Sequence, residues 1–126
     1  EMDKPMTTPV FVFGSNLAGL HGKGAALWAQ QNRGARYGNG EGYHGNSYAI
    51  PTKDAKLNTL HLEEIDRNVG RFIEFAKTRP DLQFQLTPIG CGLAGYKPEQ
   101  IAPMFDDAPA NVTLPSEFRM VLDALS

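Results

Sequence analysis

Cysteine is nearly missing from this chain. Cys91 is the one thiol in 126 residues, so an internal disulfide is excluded and a thiolate metal site has too few ligands. Histidine is scarce as well, and His21, His44 and His61 stand apart without metal-ligand spacing. There is no run of about 18 apolar residues to cross a bilayer, and no secretory leader pattern. Positive excess is lacking too: 12 Lys and Arg against 14 Asp and Glu give a net charge of −2, which argues against bulk attachment to nucleic acid or membrane. The acidic pairs Glu63-Glu64 and Asp106-Asp107 read as solvated helix faces and loop ends, so paired-carboxylate hydrolysis has no support. These absences predict one cytosolic domain over residues 1–126, without metal or cofactor, in a bacterium, a phage-infected cell or a eukaryote. Met2, after Glu1, is the expected natural start.

Glycine is what the chain has in quantity, and it is concentrated. Gly14-Ser15-Asn16-Leu17-Ala18-Gly19-Leu20-His21-Gly22-Lys23-Gly24 and Pro88-Ile89-Gly90-Cys91-Gly92-Leu93-Ala94-Gly95-Tyr96 each follow an apolar run and lead toward a helix-like run. Glycine-dense turns in that position let backbone N–H groups crowd an anion, and the next helix adds the positive end of its dipole. Two such turns in a small domain point to a ligand carrying a phosphate or diphosphate. Residues 21–56 also hold Lys23, Arg33, Arg36, Lys53 and Lys56 against Glu41 and Asp54, a local positive balance that suits an anionic small molecule.

The pattern along the chain alternates strand and helix. Strands are predicted at 9–13, 47–50 (ended by Pro51), 82–86 and 111–114. Helices are predicted at 23–32 (stopped by Gly34), 60–78, 98–105 and 115–125. The 60–78 helix has the best periodicity, with Leu62, Ile65, Val69, Phe72, Ile73 and Ala76 on one face, and Asn58 or Thr59 is expected to cap it. Trp28 is expected to pack from the first helix onto the sheet. Residues 34–45 contain five glycines and read as an irregular loop, a flexible lid being one role for it. This order predicts an α/β fold, three layers deep, with a mainly parallel central sheet. Ligands on such sheets bind beyond the carboxyl ends of the strands, where both glycine turns and Pro51-Thr52-Lys53 emerge.

The first turn is neither a P-loop nor a dinucleotide fingerprint, since its glycines are spaced for neither. Asn16 offers donor and acceptor to a sugar hydroxyl pair, or else it and Ser15 organise the turn through their own backbone bonds. His21 and Lys23 stand between ligand contact and scaffold. Lys53 either binds phosphate as a point charge, or attacks a carbonyl carbon as a desolvated amine, or is a solvated surface lysine. Cys91 reads as a small buried residue shaping its loop, because no histidine is an identifiable base partner. Tyr96 either stacks on a ring or covers the core.

Three of these blocks, Gly14 to Ala26, Ile50-Pro51-Thr52-Lys53 and Pro88 to Tyr96, resemble macrodomains, the ADP-ribose-binding α/β modules. The likeness runs over roughly residues 10–105 and is closest to the branch holding the DNA ADP-ribosyl glycohydrolase antitoxins and the terminal ADP-ribose protein glycohydrolase. The resemblance implies a three-layer α/β/α macrodomain-like fold and a hydrolase of ADP-ribosyl links on DNA or protein, or alternatively a non-catalytic binder of ADP-ribose or an NAD-derived nucleotide. It implies Lys53 as the catalytic residue at the distal ribose. Gly14, Ser15, Asn16, His21, Gly22, Lys23, Gly24 and Thr52 would line the ligand, and Gly90, Cys91, Gly92, Leu93, Ala94, Gly95 and Tyr96 would cradle the diphosphate. Ala94 stands where the protein-acting enzyme carries an aspartate, which makes the DNA-type enzymes the nearer pattern. The acidic residue that macrodomains place ahead of the first strand has only Asp3 as a counterpart, leaving adenine without an assigned partner.

Overall fold

The computed structural model describes residues 8–126, so Met2 and Asp3 lie outside the described part. Val10–Asn16 forms strand β1, and its alternation decides where the layers go. Val10 and Val12 point into one buried cluster while Phe13, with Phe11 beside it, points into another. A strand buried on both faces belongs in the middle of a sheet. β1 accordingly pairs in parallel with β3 (Ser47–Lys53) on one side and β4 (Phe84–Leu86) on the other. β5 (Val112–Thr113) extends the sheet in parallel beyond β4, and β2 (Gly42–His44) adds an antiparallel edge beside β3. The order is β2-β3-β1-β4-β5, a mixed and mostly parallel sheet.

β2 lies inside the segment predicted to be irregular. The sequence signal for it is Gly45-Asn46, a two-residue hairpin turn in which Gly45 takes φ +59. β3 also runs past Pro51, where the strand was expected to stop. The register shifts just beyond the proline: Ser15 faces Pro51 and Asn16 faces Lys53, so Thr52 is the extra residue of a bulge that adjoins Pro51.

Helix α1 (Gly24–Asn32) covers the Phe13 face using small residues, Ala26 and Ala29, which let its backbone approach the sheet. Trp28 lies on Phe11 with ring centroids 4.7 Å apart, and the Arg33 guanidinium sits 4.6 Å from the Trp28 ring. Helix α2 (Leu62–Thr78) presents the predicted apolar face to the larger cluster. Its start is set by His61, not Asn58 or Thr59: the His61 N–H donates to the Glu64 carboxylate at 3.2 Å. At the far end, the Asn111 amide lies within hydrogen-bond reach of the Ala76, Arg79 and Leu82 carbonyls. Helix α3 is a single turn, Pro98–Ile101, that tightens into a 3-10 turn at Ala102–Phe105. Pro103 removes the N–H that a longer α-helix would need. Helix α4 (Ser116–Leu125) closes the same face through Phe118. No helix among the described residues is long and apolar enough to cross a membrane.

Phe72 is the hub of the larger cluster. Its ring meets Tyr48 at 5.0 Å, Phe84 at 5.4 Å and Phe105 at 6.5 Å, joining α2 to two strands and the 3-10 turn. Truncation there leaves a void that the sheet cannot close. Phe72→Ala is expected to lose about 3–5 kcal/mol of stability, whereas Met120→Ala on the exposed side of α4 changes it by less than about 0.5 kcal/mol. Urea denaturation of the two variants measures both.

Candidate functional site

The connection leaving β1 passes through α1 toward β3, and the connection leaving β4 passes through α3 toward β5 on the opposite side. Between these neighbouring strands the chain diverges, and that divergence marks, at their carboxyl ends, where a ligand trough lies in open α/β sheets. The two strands flanking that divergence are the ones followed by the glycine-dense segments. β3, with Lys53 at its end, lies next to β1.

The three segments touch beneath the trough. A Cβ added to Gly14 would sit 3.3 Å from the Thr52 hydroxyl and 3.6 Å from the Ile89 Cβ. The Thr52 hydroxyl donates to the Ser15 carbonyl, and the Leu17 N–H donates to the Lys53 carbonyl at 3.0 Å. Gly14, Ser15 and Asn16 are still part of β1, so the turn proper begins at Leu17.

Within that turn the polar side chains are committed to the scaffold. Asn16 donates from Nδ2 to the Leu20 carbonyl at 2.8 Å and accepts the Leu20 N–H on Oδ1 at 2.9 Å. The Ser15 hydroxyl donates to the Gly40 carbonyl. His21 is 2% exposed, edge-on to Phe13, with Nε2 3.1 Å from the Arg36 carbonyl and Nδ1 without a partner among the described residues. Of the alternatives left open for Ser15 and Asn16, the structure displays the organising one. The backbone is different. Gly22, Lys23 and Gly24 are exposed, Lys23 is extended at the N-cap of α1, and no side chain caps the helix. The first-turn N–H groups of α1 are therefore unspent within the described chain.

The second segment repeats this on the β4 side. The Cys91 N–H donates to the Pro88 carbonyl, Gly95 to Gly92, and Tyr96 to Gly90 at 2.8 Å. Among the described residues this leaves the Gly92, Leu93 and Ala94 N–H groups without an intrachain acceptor. Successive amides left free in this way are the kind of backbone that can receive an anion. The Leu93 side chain is 70% exposed, whereas Tyr96 packs against the larger cluster and donates its hydroxyl to the Leu60 carbonyl at 2.7 Å, which is the core-covering role. Burial pushes the Cys91 thiol up to about 11, with Glu117 and Glu99 adding to it, so this is not an activated nucleophile.

Lys53 is half-buried at the end of β3 and makes no ion pair among the described residues. Its backbone pairs with Thr59 across a tight hairpin, and the Thr59 hydroxyl donates to the Ala94 carbonyl at 2.9 Å. Lysine strand and second glycine segment are thereby joined directly. Sequence reasoning placed Thr59 as a helix cap and assigned no role to Asp54, whose carboxylate accepts the Lys56 and Asn58 N–H groups at 2.9 Å each. An aspartate followed by a short polar stretch is the available signal for such a turn.

Residues 36–40 are packed onto the first turn by backbone contact, which corrects the flexible-lid expectation. The Gly38 N–H donates to the Gly19 carbonyl at 2.9 Å. A Cβ on Gly19 would fall on the Gly38 and Asn39 backbone, and one on Gly40 would fall on the Asn16 carbonyl. Two other concavities, of about 400 and 300 Å³, lie away from the trough. One is lined by Lys77, Pro80, Gln83 and Asn111 below β4 and β5, the other by Phe105, Leu114 and Arg119 beside α4.

Two outcomes follow from this geometry. Gly40→Ala is expected to destabilise by about 2–3 kcal/mol through the clash alone. Gly38→Ala, where φ is +88 but the space is open, is expected to lose about 1–2 kcal/mol; denaturant midpoints rank the two. At pH 8, iodoacetamide is expected to label Cys91 on the order of 100-fold more slowly than a free cysteine, with the rate climbing as pH approaches the thiol's raised pKa. Mass spectrometry of the labelled peptide reads that directly. In comparison with protein-family models, curated proteins and solved structures, the chain matches none.

Proposed function

We propose that the protein holds ADP-ribose, or an ADP-ribosyl group carried on DNA or protein, in the trough between β1 and β4 and hydrolyses its linkage through Lys53. The observation that supports this reading is that the strands flanking one topological switch point both run into glycine-dense segments with unspent amides, and that the strand ending in half-buried Lys53 pairs with β1 and is tied through Thr59 to Ala94. The Gly92, Leu93 and Ala94 amides suit the charge of a diphosphate, and the uncapped start of α1 supplies a second positive end across the trough. On this reading the helices on both sheet faces form the three-layer arrangement of a macrodomain, as the sequence resemblance implies. The ligand's distal ribose would then lie toward β3 and Lys53.

The chemistry uses one amine. The Lys53 nitrogen adds to the anomeric carbon, the bond to the acceptor breaks, and the acceptor leaves with a proton. The opened sugar is then held as a Schiff base, and water adds to it, returning ADP-ribose and the free amine. Purified protein incubated with ADP-ribosylated DNA or protein is expected to release free ADP-ribose, and Lys53→Ala to slow that release by at least about 100-fold. Unchanged substrates, or equal rates in the variant, defeat the catalytic reading.

A second reading, a binder without turnover, is favoured by Ala94 and by the absence of a carboxylate paired with Lys53 among the described residues. Calorimetry separates the two. Stoichiometric binding without release marks the binder, and ligand at 100 times its dissociation constant raises stability by about 2.7 kcal/mol.

A further inference from the structure

We propose that Thr59 is a positioning residue: its hydroxyl fixes the Ala94 carbonyl and so keeps the Gly92, Leu93 and Ala94 amides turned outward for an anionic ligand. This rests on the anion-binding reading above and names the device that preorganises it. The Ala94–Gly95 peptide is anchored at both ends in opposite senses. Its carbonyl accepts from the Thr59 hydroxyl at 2.9 Å, and its N–H donates to the Gly92 carbonyl at 3.1 Å. A segment with glycine at positions 90, 92 and 95 has wide backbone freedom. Without the Thr59 bond that peptide is held through the Gly95 N–H alone, and rotation about Ala94 and Gly95 turns the adjoining Ala94 amide out of line with those of Gly92 and Leu93.

The strut that carries Thr59 is itself rigid. The Asp54 N–H donates to the Asn58 carbonyl at 2.8 Å, the Leu57 N–H donates to the Asp54 carbonyl at 3.0 Å, and the Asp54 carboxylate ties down two further amides. Leu57 is held at φ +69, the one non-glycine among the described residues with a positive φ. Past Thr59, the Leu60 N–H donates to the Thr52 carbonyl at 2.9 Å, and the Leu60 carbonyl accepts from the Tyr96 hydroxyl. The hairpin therefore clasps the second glycine segment at Ala94 and again at Tyr96, with its other strand continuous with Lys53. Thr59 is exposed, so its hydroxyl contributes through direction and not through burial.

Thr59→Val removes the donor at constant shape, and Thr59→Ser keeps it. By calorimetry with ADP-ribose, the valine variant is expected to bind about tenfold more weakly and the serine variant within about threefold of the parent. In the ligand-free protein, the Gly95 amide is expected to exchange faster in Thr59→Val and at the parent rate in Thr59→Ser, with melting temperatures recorded for all three. Unchanged ADP-ribose affinity in the valine variant, or a serine variant as weak as the valine one, overturns the proposal. If the parent itself binds no ADP-ribose, the anion-site reading fails on its own. The exchange measurement then decides Thr59 alone: unchanged Gly95 protection overturns its role, and faster exchange reversed by serine supports it.

Discussion

The first turn is held in place by main chain lying against main chain. Gly19 and Gly40 bring residues 36–40 so close to Asn16–Gly19 that no side chain fits between them, and the Ser15 hydroxyl and His21 ring close the same junction. Backbone contact of this kind has few rotamers to lose and few ways to rearrange. The direction in which α1 starts, and hence where its free amides point, follows from that junction. So does the course of β1, because Asn16 must reach Leu20 and Lys53 together.

Around this fixed point the molecule divides its labour by face. The face under α2, α3 and α4 carries the aromatic cluster and most of the apolar burial. The face under α1 is thin, built on alanines and one half-exposed tryptophan. At the carboxyl ends of β1 and β4 the chain runs into the two glycine-dense segments, where Gly22, Lys23, Gly24, Gly92 and Leu93 are exposed.

Local features were legible in the sequence and contact-dependent ones were not. The periodicity of Ile65, Val69, Phe72 and Ala76, and the prolines at 98 and 115, fix helices through forces acting within one or two turns, and the structure has them where expected. Pro51 misled because its tolerance depends on pairing with Ser15 of β1 and on the bulge beside it, partners distant in sequence. The glycines of 34–45 read as looseness, yet Gly40 is required for close approach, which only the neighbour reveals. At the candidate site, the density of glycine pointed to backbone rather than side chain, and the Gly92, Leu93 and Ala94 amides are left unspent among the described residues. The side chains that drew attention, Asn16, His21 and Thr52, are committed to the frame. Thr59 carried no such flag, since a hydroxyl ahead of a helix reads as a cap until its real acceptor, Ala94, is seen.

The strand made first waits longest for its second neighbour. Thr87 reaches back to the Val12 carbonyl across 75 residues, and β4 completes β1 only at that point in the chain. During synthesis the lysine-bearing half exists well before the trough does, with one edge of β1 unpaired until β4 emerges. A nascent or clipped chain ending before β4 would thus carry Lys53 yet lack the second glycine-dense segment and the switch point beside it, which arrive together in a single late step.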